Sequence, residues 1–571
     1  MNKQTARLLE QHFDTAFAAP DGIAKLRELI LTLAMQGKLV EQDPNDPPAS
    51  ELLKEIEAQK LRLVKAGIFR NNDDKLPNGS ICPFQLPKKG WEWASVQQLG
   101  FVLGGKRLPK GHTYSESPTS YRYLTVTNMK NATIIDSDVK YITQETHEKI
   151  KNYVISKDDI YITIAGTIGA VGIIPEYCDG MNFTENASRL VVFGCDKLFL
   201  VHLLNSGIVQ DQFAVLTNKM AQPKLSLRSI LSTGVPLPPL REQHRIVARI
   251  EQLMARCDEL EKLRKDREKK RLAVHTAAIR QLLDAPDGSA WNFIQQRFGE
   301  LYTVKDNVAE LRKAILQLAV MGRLVPQDPN DPPASELLKE IKAEKQRLVK
   351  ADKIKQSKPL PPIKLEEVPY PLPRGWEWVR FGDLTTEIAT GPFGSMIHKI
   401  DYVLGGIPLI NPSHMIDGRI VHDPSISVSL EMAKKLDSYK LYKNDIVMAR
   451  RGEMGRCAIV TNDSDGFLCG TGSFVLRFVD KMNRQYILNL FKTENVREYL
   501  GGNSVGTTMT NLNHNILNNI QVLLPPLPEQ HRIVARIDQL MALCDTLEQQ
   551  IDAATGKQTE LLNAVMAQVG A

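Results

Sequence analysis

The stretch "LPPLREQHRIVARIEQLM" occupies residues 237–254, and "LPPLPEQHRIVARIDQLM" occupies residues 524–541. Sixteen of the eighteen positions are identical, at an offset of 287 residues. A second pair, "QDPNDPPASELLKEIEAQKLRLVK" at 42–65 and "QDPNDPPASELLKEIKAEKQRLVK" at 327–350, is identical at 21 of 24 positions, at an offset of 285. The chain therefore contains two copies of one unit, each with a helical piece, a variable piece and a second helical piece.

The order of these pieces predicts a twofold arrangement. The middle of the chain joins the last piece of the first copy directly to the first piece of the second copy, whereas the chain ends carry the same two pieces separately. If the ends meet in space, they rebuild a second copy of the middle, and the molecule is pseudo-twofold. The predicted regions are an N-terminal helical region (1–85), a variable domain (86–238), a central helical region (239–358), a second variable domain (370–525) and a C-terminal helix (526–571).

The helical pieces carry clear local signals. Leucines at helical spacing run up to Gly37 and Gly322, which we predict to be the glycines that follow helix C-termini. Asp46 and Asp331 precede proline pairs, and we predict that they are N-caps. From residue 533 to residue 565, apolar residues recur at alternating spacings of four and three. This heptad pattern predicts antiparallel coiled coils. A helical hairpin inside one domain is the alternative, but it does not explain the split order of the pieces.

The variable pieces have a different pattern. Residues 158–174 ("DDIYITIAGTIGAVGII") and 444–460 ("NDIVMARRGEMGRCAIV") alternate apolar and polar side chains and are punctuated by glycines. Such patterns are typical of strands joined by tight turns. We therefore predict an α+β protein in which two α/β domains are separated by two long, antiparallel helical (coiled-coil) spacer regions, with a pseudo-twofold internal repeat.

Composition narrows the class of protein. The 571 residues include 72 basic and 66 acidic residues, and the net charge of +6 permits a nucleic-acid partner without requiring one. The seven cysteines show neither zinc spacing nor a C-x-x-C pair. Since the sequence also has no signal peptide and no long apolar run, we expect a cytoplasmic protein that has no membrane partner and binds no metal.

Three stretches resemble catalytic motifs but lack an essential residue or context. The stretch "GFVLGGKR" (100–107) approaches a phosphate-binding loop, but Arg107 stands where a Ser or Thr would bind Mg²⁺. The two "DPPA" stretches resemble the loop of amino-methyltransferases, but Ala49 and Ala334 replace its aromatic residue. His244 and His531 lie in "EQHRIV" beside Glu and Arg, where structural contacts are the simpler interpretation. We therefore expect no catalytic residues in this chain.

Taken together, "LPPLxEQHRIVARI", "GWEW" before each variable piece, and "QDPNDPPA" resemble the specificity subunits of type I restriction–modification systems. The resemblance covers nearly the whole chain. It implies that each variable piece is a target-recognition domain that reads one half of a split, asymmetric site in double-stranded DNA. It also implies that the helices set the spacing of the two halves and dock two methyltransferase (modification) subunits, which in turn dock two restriction (motor and nuclease) subunits. S-adenosylmethionine, ATP and Mg²⁺ would then belong to those partners, and this chain would carry no cofactor.

Candidate contact residues follow from residue chemistry. Cationic and amide side chains on glycine-rich loops suit phosphates and base edges. The DNA candidates are Lys106, Arg107, Lys110, His112, Tyr114, Lys219, Gln222 and Lys224 in the first domain, and Ser395, His398, Lys399, Arg450, Arg451, Arg456, Thr507, Thr508, Asn511 and Asn513 in the second. The partner-binding candidates are Glu242, Gln243, His244, Arg245, Glu529, Gln530, His531 and Arg532.

Two other functions compete with this interpretation. A fused DNA adenine methyltransferase would require a cofactor loop and an aromatic residue after Asp-Pro-Pro, and the sequence has neither. A coiled-coil scaffold that does not bind DNA would leave the two β-rich domains unexplained. The N-terminal extension and residues 284–302 follow the same repeat, and we expect both to serve partner docking.

Overall fold

The computed structural model describes residues 3–69, 84–87, 90–217, 223–284, 289–356, 358–364, 368, 372–503 and 511–570. The chain forms two compact units. The first comprises Met1–Arg267 with Ala554–Ala571, and the second comprises Glu268–Ala553. Each unit holds one variable domain together with helical pieces of the repeat, and the two longest helices each contribute residues to both units.

The first unit is built from helices and short strands. Its helices are α1 (Lys3–Phe17), α2 (Gly22–Met35), α3 (Ala49–Lys65), α4 (Val96–Leu99), α5 (Gln144–Ile150), α6 (Lys197–Leu204), α7 (Gly207–Thr217), α8 (Leu227–Leu231) and the beginning of α9 (Leu240–Asp284). Its strands are β1 (Glu92–Ser95), β2 (Gly100–Gly104), β3 (Tyr121–Leu124), β4 (Met129–Lys130), β5 (Thr133–Ile134), β6 (Lys140–Ile142), β7 (Ile160–Thr163), β8 (Val171–Ile173), β9 (Asn182–Phe183), β10 (Ala187–Val192) and β11 (Gly234–Leu237).

The second unit repeats this plan. Its helices are α10 (Ser289–Gln296), α11 (Phe298–Leu301), α12 (Lys305–Val320), α13 (Ala334–Lys350), α14 (Phe381–Leu384), α15 (Leu430–Lys435), α16 (Arg484–Lys492), α17 (Glu494–Asn503), α18 (His514–Asn519) and most of α19 (Leu527–Gly570). Its strands are β12 (Glu377–Arg380), β13 (Thr385–Thr390), β14 (Tyr402–Val403), β15 (Ile407–Ile410), β16 (Met415–Ile416), β17 (Arg419–Ile420), β18 (Ser427–Val428), β19 (Ile446–Ala449), β20 (Cys457–Ile459), β21 (Leu468–Cys469), β22 (Ser473–Phe478) and β23 (Gln521–Leu524).

The two variable domains share one sheet topology. Each has an antiparallel four-stranded sheet, in the order β2-β10-β7-β8 in the first domain and β13-β22-β19-β20 in the second. Each also has a parallel pair, β3 with β9 and β15 with β21. All four residues of β7 and of β19 are buried, as expected for the apolar runs at these positions. The strands predicted within 158–174 and 444–460 are therefore confirmed.

Glycines shape the turn that follows β7 and β19. Gly166 and Gly169 have φ of +81°, and Gly452 and Gly455 have φ of +83°. L-residues with side chains rarely adopt this conformation, so the Gly-x-x-Gly spacing is a backbone requirement that both domains meet. The side chains within these turns differ, because the turn constrains only the glycines.

A second pair of strands closes each variable domain. β1 pairs with β11, so that Ser95 lies opposite Gly234, and β12 pairs with β23, so that Arg380 lies opposite Gln521. The chain thus enters and leaves each domain side by side. Both pairs fall inside the predicted boundaries at 86–238 and 370–525, and those boundaries themselves stay predictions.

The helical cores confirm that the two chain ends meet. In the first unit, Phe17 and Leu29 share an apolar core with Leu562 and Val565 of α19. The same arrangement recurs in the second unit, where Ala278 of α9 shares a core with residues of α11 and α12. The α+β fold with two mixed domains, long helices and an internal repeat is therefore confirmed. Among the residues that the structure describes, no helix is both long and apolar enough to cross a membrane.

One local prediction is wrong. Asp46 and Asp331 are not helix N-caps, since α3 and α13 begin after Pro48 and Pro333, which occupy the cap positions. The aspartates instead bind arginines of α9 and α19. The glycine prediction is confirmed, because Gly37 and Gly322 follow the C-caps of α2 and α12 with positive φ.

Candidate functional site

Three segments of the first domain converge at one end of its four-stranded sheet. The segment after β2 begins at Gly105, whose N–H donates to the carbonyl of Ala187 at the start of β10 (3.0 Å). The segment before α8 reaches the same place, because the N–H of Leu225 donates to the carbonyl of Ile164 just after β7 (2.9 Å). We call this end of the sheet the reading edge, because most of the DNA candidates of this domain lie on the segments that meet there.

Lys106 and Arg107 lie on the first of these segments. The ammonium of Lys106 lies 5.3 Å from the ring centre of Tyr153. Arg107 has a side chain that is 76% exposed and lies 3.5 Å from a carboxylate oxygen of Glu185. Such an exposed ion pair is weak, so Arg107 can exchange Glu185 for a phosphate or a base edge at small cost.

His112 and Tyr114 differ in their availability. His112 is half-buried, with Nδ1 2.7 Å from the hydroxyl of Thr146 and Nε2 2.9 Å from the ammonium of Lys149. It therefore anchors the segment to α5. Tyr114 is exposed and its ring lies 5.7 Å from that of Tyr123. Partial burial raises the pKa of Tyr114, so its hydroxyl stays a hydrogen-bond donor at neutral pH.

The other predicted contacts of this domain are exposed or lie outside the described residues. Lys110 and Lys224 are exposed. Lys219 and Gln222 lie outside the described residues. Sequence analysis missed Tyr123, which is buried and donates its hydroxyl to the carbonyl of Lys106 (2.7 Å), thereby fixing the start of the segment.

The second domain has an equivalent reading edge. The N–H of Gly391, just after β13, donates to the carbonyl of Ser473 (2.9 Å), and the N–H of Arg450 donates to the carbonyl of Gly472 (2.8 Å). The N–H of Leu512 then donates to the carbonyl of Arg450 (3.1 Å). The segments that follow β13 and β19 and the segment that precedes α18 therefore meet at one end of the sheet.

The two neighbouring arginines on this edge have different roles. Arg450 is half-buried, and its Nε donates to the carbonyl of Leu512 (3.0 Å) while its guanidinium lies 5.8 Å from the ring centre of Phe474. Arg451 is exposed and its Nε donates to the side-chain oxygen of Asn511 (2.7 Å). Arg450 thus stabilises the edge, whereas Arg451 and Asn511 form a polar pair on its surface.

Two other candidates already have structural partners. Arg456 donates twice to the carboxylate of Glu453, at 3.0 and 2.6 Å. The side-chain oxygen of Asn513 accepts from the N–H of Ile516 (2.9 Å), so Asn513 is the N-cap of α18. Thr507 and Thr508 lie outside the described residues.

The segment after β13 differs most from its counterpart in the first domain. Ser395, His398 and Lys399 are exposed, as a DNA contact requires. Between and beside them lie apolar side chains, with Phe393 65% exposed and Ile400 90% exposed. The first domain thus presents mainly cations on its reading edge, whereas the second presents cations mixed with apolar side chains.

A buried ion pair supports each sheet and explains the shared Asp-Ile sequence before β7 and β19. Asp159 accepts from Arg189 (2.7 Å), and Asp445 accepts from Arg477 (3.3 Å). Burial raises the pKa of both aspartates, and the neighbouring arginine opposes that shift in each case. These carboxylates lie inside the domains and are therefore structural.

The start of α19 contacts the second domain at the opposite end of the sheet from the reading edge. Trp376 donates its Nε1–H to the carboxylate of Glu529 (2.9 Å). Gln530 donates to the carbonyl of Pro525 (3.0 Å) and accepts from the N–H of Asn483 (3.4 Å). Glu529 and Gln530 are buried. The closing strand pair, the variable domain and the long helix meet at this place, which we call the junction.

The first domain has a similar junction at the start of α9, but the buried Nε1 of Trp91 has no hydrogen-bond partner there. Gln243 donates to the carbonyl of Pro238 (3.0 Å) and accepts from the N–H of Asp196 (2.9 Å). Glu242 is buried beside Trp91. Burial raises the pKa of Glu242. Burial likewise raises the pKa of Glu529.

An arginine one turn further along each helix completes the junction. Arg245 binds Asp46 (2.7 Å), and Arg532 binds Asp331 (2.6 Å). Each aspartate holds the pKa of its arginine above the usual value. Asp46 and Asp331 are 285 positions apart in the sequence, and Arg245 and Arg532 are 287 positions apart, so the repeat forms the same ion pair twice.

The histidines of the two EQHR stretches are the most exposed of these residues. His244 has a side chain that is 58% exposed and lies 3.5 Å from a carboxylate oxygen of Asp196. His531 is exposed, with Nδ1 3.1 Å from the side-chain nitrogen of Asn483. The structure therefore gives the EQHR residues intramolecular contacts. A partner contact stays a prediction, and it suits the exposed histidines better than the buried glutamates and glutamines.

Comparison with known proteins identifies the family. A family model described as "Type I restriction modification DNA specificity domain" matches residues 88–268 and matches again at residues 373–554. The chain belongs to this family. The two matches contain the two variable domains and the beginning of the long helix that follows each of them. The family assigns the chain a role in DNA sequence recognition, and the variable domains are its DNA specificity domains.

Relatives of known name agree with this assignment. The chain is 32% identical to the type I restriction enzyme EcoAI specificity subunit of Escherichia coli, in an alignment of 573 residues that covers 95% of this chain and 92% of the relative. It is 31% identical to the EcoEI specificity subunit of Escherichia coli, with 95% and 93% covered. A crystal structure of the HsdS subunit from Thermoanaerobacter tengcongensis aligns with 86% of this chain and 98% of its own length, at 18% identity and a TM-score of 0.42.

Proposed function

We propose that each specificity domain reads one half of a split, asymmetric site in double-stranded DNA. One observation carries this proposal. The two domains have the same sheet and a similar junction, but they present different side chains on the same reading edge. Reading different base sequences requires different donors and acceptors at an equivalent place, because base pairs differ in the hydrogen-bonding groups of the major groove.

The exposed side chains of the reading edges suit this role. In the first domain, Lys106, Arg107 and Lys110 can bind phosphates or guanine edges. In the second domain, Arg451 and Lys399 offer the same chemistry, and the exposed apolar side chains beside them suit thymine methyl groups. Since most contacts in protein–DNA complexes go to phosphates, most of these cations would position the DNA, and a minority would read bases.

We also propose that the helical pieces dock the other subunits of a type I restriction–modification complex, namely two methyltransferase subunits and, through them, two restriction subunits. The repeat supports this proposal, since two nearly identical surfaces suit two copies of one partner. Around residues 284–302, Trp291, Phe293 and Phe298 have exposed aromatic side chains that suit a partner, and of these only Phe298 has an aromatic counterpart in the first copy, Phe13. Deletion of residues 1–20 should weaken methyltransferase binding without changing the DNA motif. An altered motif with full assembly would contradict this assignment.

The chemistry would then belong to the partners. We propose that this chain is not an enzyme, that it acts in the cytoplasm, and that S-adenosylmethionine, ATP and Mg²⁺ bind to the other subunits. The reading edges carry DNA-binding side chains, whereas base methylation requires a base to be flipped into a separate pocket. Titration of the isolated chain with S-adenosylmethionine tests this point. Saturable binding at micromolar concentration would favour the fused methyltransferase instead.

A map of methylated adenines tests the proposed function directly. Cells with and without this gene, with the partner genes intact, should differ by one motif of two short halves around an unspecified gap. Replacing residues 88–238 with the matching domain of a related subunit should change one half only. A continuous motif, or a change in both halves, would contradict the proposal.

A further inference from the structure

Each specificity domain is attached to its scaffold by two adjacent chain segments. In the second unit these segments are β12 and β23, which pair along their whole length. The two crossings are not the whole attachment, because the domain also shares a continuous apolar core with α12, α13 and α19 in the second unit, and with α2, α3 and α9 in the first. Because apolar packing is non-directional, the directional contacts around this strand pair are the ones that can select one orientation of the domain on that core.

The junction supplies those contacts on both sides of the pair. Before β12, Trp376 donates to Glu529 in the first turn of α19. Arg532, one turn further on, binds Asp331 just before α13. The N–H of Ala334, the first residue of α13, donates to the carbonyl of Gly375 beside Trp376 (2.8 Å). Strand pair, long helix and short helix are thus joined in a closed ring of contacts.

A further bond ties the short helix to the domain itself. Lys345 of α13 donates to the carbonyl of Gly382 in α14, the helix that connects β12 to β13 (2.9 Å). In the first unit, Lys60 of α3 donates to the carbonyl of Gln97 in α4. Burial lowers the pKa of both lysines, as expected for ammonium groups that are enclosed by the packed helices.

The first unit repeats the ring except for the hydrogen bond between tryptophan and glutamate, since the buried Nε1 of Trp91 has no hydrogen-bond partner. Arg245 of α9 binds Asp46 just before α3, and Glu242 is buried beside Trp91. The N–H of Ala49 donates to the carbonyl of Gly90 (2.8 Å). We call this set of one tryptophan, one glutamate, one arginine and one aspartate the junction clamp. Each unit has one clamp.

The chemistry of the clamp favours an orienting role over a purely stabilising one. Burying a carboxylate and an ion pair is expensive, and well-packed apolar residues of similar size are often at least as stable. Polar groups, unlike apolar groups, fix a direction, because a hydrogen bond is strong only within a narrow range of angles. A directional ring around the strand pair holds the domain at one angle.

The angle matters because the reading edge lies at the far end of the sheet. β13 has six residues, so the sheet is about 20 Å long at about 3.3 Å per residue. A tilt of about ten degrees at the junction moves the reading edge by about 3.5 Å, which is about the rise of one base pair. A change too small to disturb the domain can thus change the register of its DNA contacts.

We propose that the two junction clamps are positioning elements that fix the number of base pairs between the two halves of the DNA site. This inference rests on the proposed function. Trp376, Glu529, Arg532 and Asp331 set the orientation of the second domain, and their counterparts set that of the first. The side chains of the reading edges determine which bases are read, the helices set the distance between the domains, and the clamps hold each domain at the angle at which a single gap length fits.

A library of DNA sites with varied gaps tests the clamp in cells that also express the partner subunits. The complex that contains the unchanged protein should methylate sites with a single gap length. The variant Asp331→Asn/Arg532→Gln with Trp376→Phe removes the charges and the indole donor and keeps polar or aromatic side chains at these positions. A complex that contains this variant should methylate sites with a gap one base pair longer or shorter at least tenfold better, relative to the native gap, with unchanged bases in both halves. The mirrored variant Asp46→Asn/Arg245→Gln should act in the same direction.

The control is an ion pair of the same kind outside the clamp. Arg312 of α12 binds Asp545 of α19 (2.6 Å), thirteen residues beyond Arg532, which is about 20 Å along the helix. Arg312→Gln/Asp545→Asn should leave the gap preference unchanged.

The outcomes separate the clamp from the proposed function. A variant complex that methylates its site with the native gap preference, within twofold, would overturn the role of the clamp. If the triple variant does not accumulate in cells, the ratio of methylation at the altered gap to methylation at the native gap is measured with Asp331→Asn/Arg532→Gln alone or with Trp376→Phe alone. A ratio that stays within twofold of that of the unchanged protein would again overturn the role of the clamp. A complex that contains the unchanged protein and methylates no split motif would contradict the proposed function itself.

Discussion

The two ends of each specificity domain differ in how closely the two copies of the repeat resemble each other there. At the junction end, Arg532 and Asp331 repeat the ion pair of Arg245 and Asp46, and Glu529 is buried at the position that matches the buried Glu242. At the reading edge, the backbone follows the same course, but the side chains differ. The junction end must fit the same scaffold twice, whereas the reading edge must fit two different DNA sequences. Similarity between the halves therefore identifies scaffold contacts, and difference identifies recognition.

The largest expected effect tests the symmetry of the junctions. Trp91→Ala and Trp376→Ala each remove a large, buried side chain and should each cost about 3–5 kcal/mol of unfolding free energy in their own unit. Trp376→Ala also leaves Glu529 without its indole donor, so its cost should be the higher of the two. Hydrogen exchange at the strand pair of each unit measures both losses. A cost below about 1 kcal/mol at either position would show that the two junctions are not equivalent.

The next largest effect tests the difference between the reading edges. Lys106→Ala/Arg107→Ala should weaken DNA binding by about tenfold to a hundredfold, the range expected for the loss of one good base contact. The loss should disappear when the first half of the DNA site is scrambled and persist when the second half is scrambled. Competition binding with four DNAs, in which neither half, the first half, the second half or both halves are scrambled, measures this dependence. Arg451→Ala should show the opposite dependence, and equal dependence on both halves would contradict the one-domain, one-half assignment.

A third prediction concerns a place where the helical copies differ. In the second unit, His275 and Tyr302 are buried and their Nε2 and hydroxyl groups lie 3.2 Å apart. The first unit has Leu562 and Phe17 at the equivalent positions. His275→Leu alone should cost about 1–2 kcal/mol because it leaves a buried hydroxyl unpaired, whereas His275→Leu/Tyr302→Phe should be nearly neutral. Chemical unfolding of the two variants decides this, and equal losses would show that the contact contributes nothing.

The same pair predicts a pH dependence. Burial lowers the pKa of His275, so the folded unit keeps this side chain neutral while the unfolded chain gains a proton below about pH 6.5. The contribution of His275 to stability is therefore present above that pH and is lost as the pH falls towards the lowered folded value. The double variant should lose less stability than the unchanged protein between pH 7 and pH 5. Identical pH profiles would show that His275 titrates normally.

The smallest effect concerns the ion pairs between helices. Arg27 binds Asp258 and Glu261, and Arg312 binds the equivalent Asp545 and Glu548. These pairs are partly exposed, so Arg27→Met and Arg312→Met should each cost only about 0.5–1 kcal/mol. Thermal unfolding in low and high salt measures the cost, which should shrink in high salt. A cost that does not depend on salt would point to packing of the arginine stem instead.

Much of the fold could be predicted from the sequence, because the repeat and the apolar periodicity are local patterns. Two stretches 287 residues apart predicted the architecture, and the glycine turns predicted the strands on either side. The roles of Asp46 and Asp331 could not be predicted in this way. An aspartate before a proline pair looks like a helix cap, and only the tertiary structure brings Arg245 and Arg532 within reach of the carboxylates.

The reading edge was only partly predictable for a related reason. Residue chemistry selected segments that the structure brings together at one end of each sheet, but His112, Arg450, Arg456 and Asn513 bind structural neighbours. Cationic and amide side chains serve equally well as loop supports and as DNA contacts, and the sequence does not distinguish the two uses. Tyr123 was missed because a buried tyrosine in a strand looks like any core residue.

The strand pair that closes each domain has a consequence for how this protein can change. Ser95 and Gly234 face each other across an antiparallel pair, so their Cα atoms lie about 5 Å apart whatever the chain does between them. The strand pair therefore does not restrict the length of the inserted segment, and the scaffold contacts only those parts of the segment that lie at the junction. A domain of different size and ancestry can be inserted at the same place in the scaffold, provided that its first and last segments pair as two antiparallel strands. In this respect, the protein is a scaffold that carries two exchangeable specificity domains.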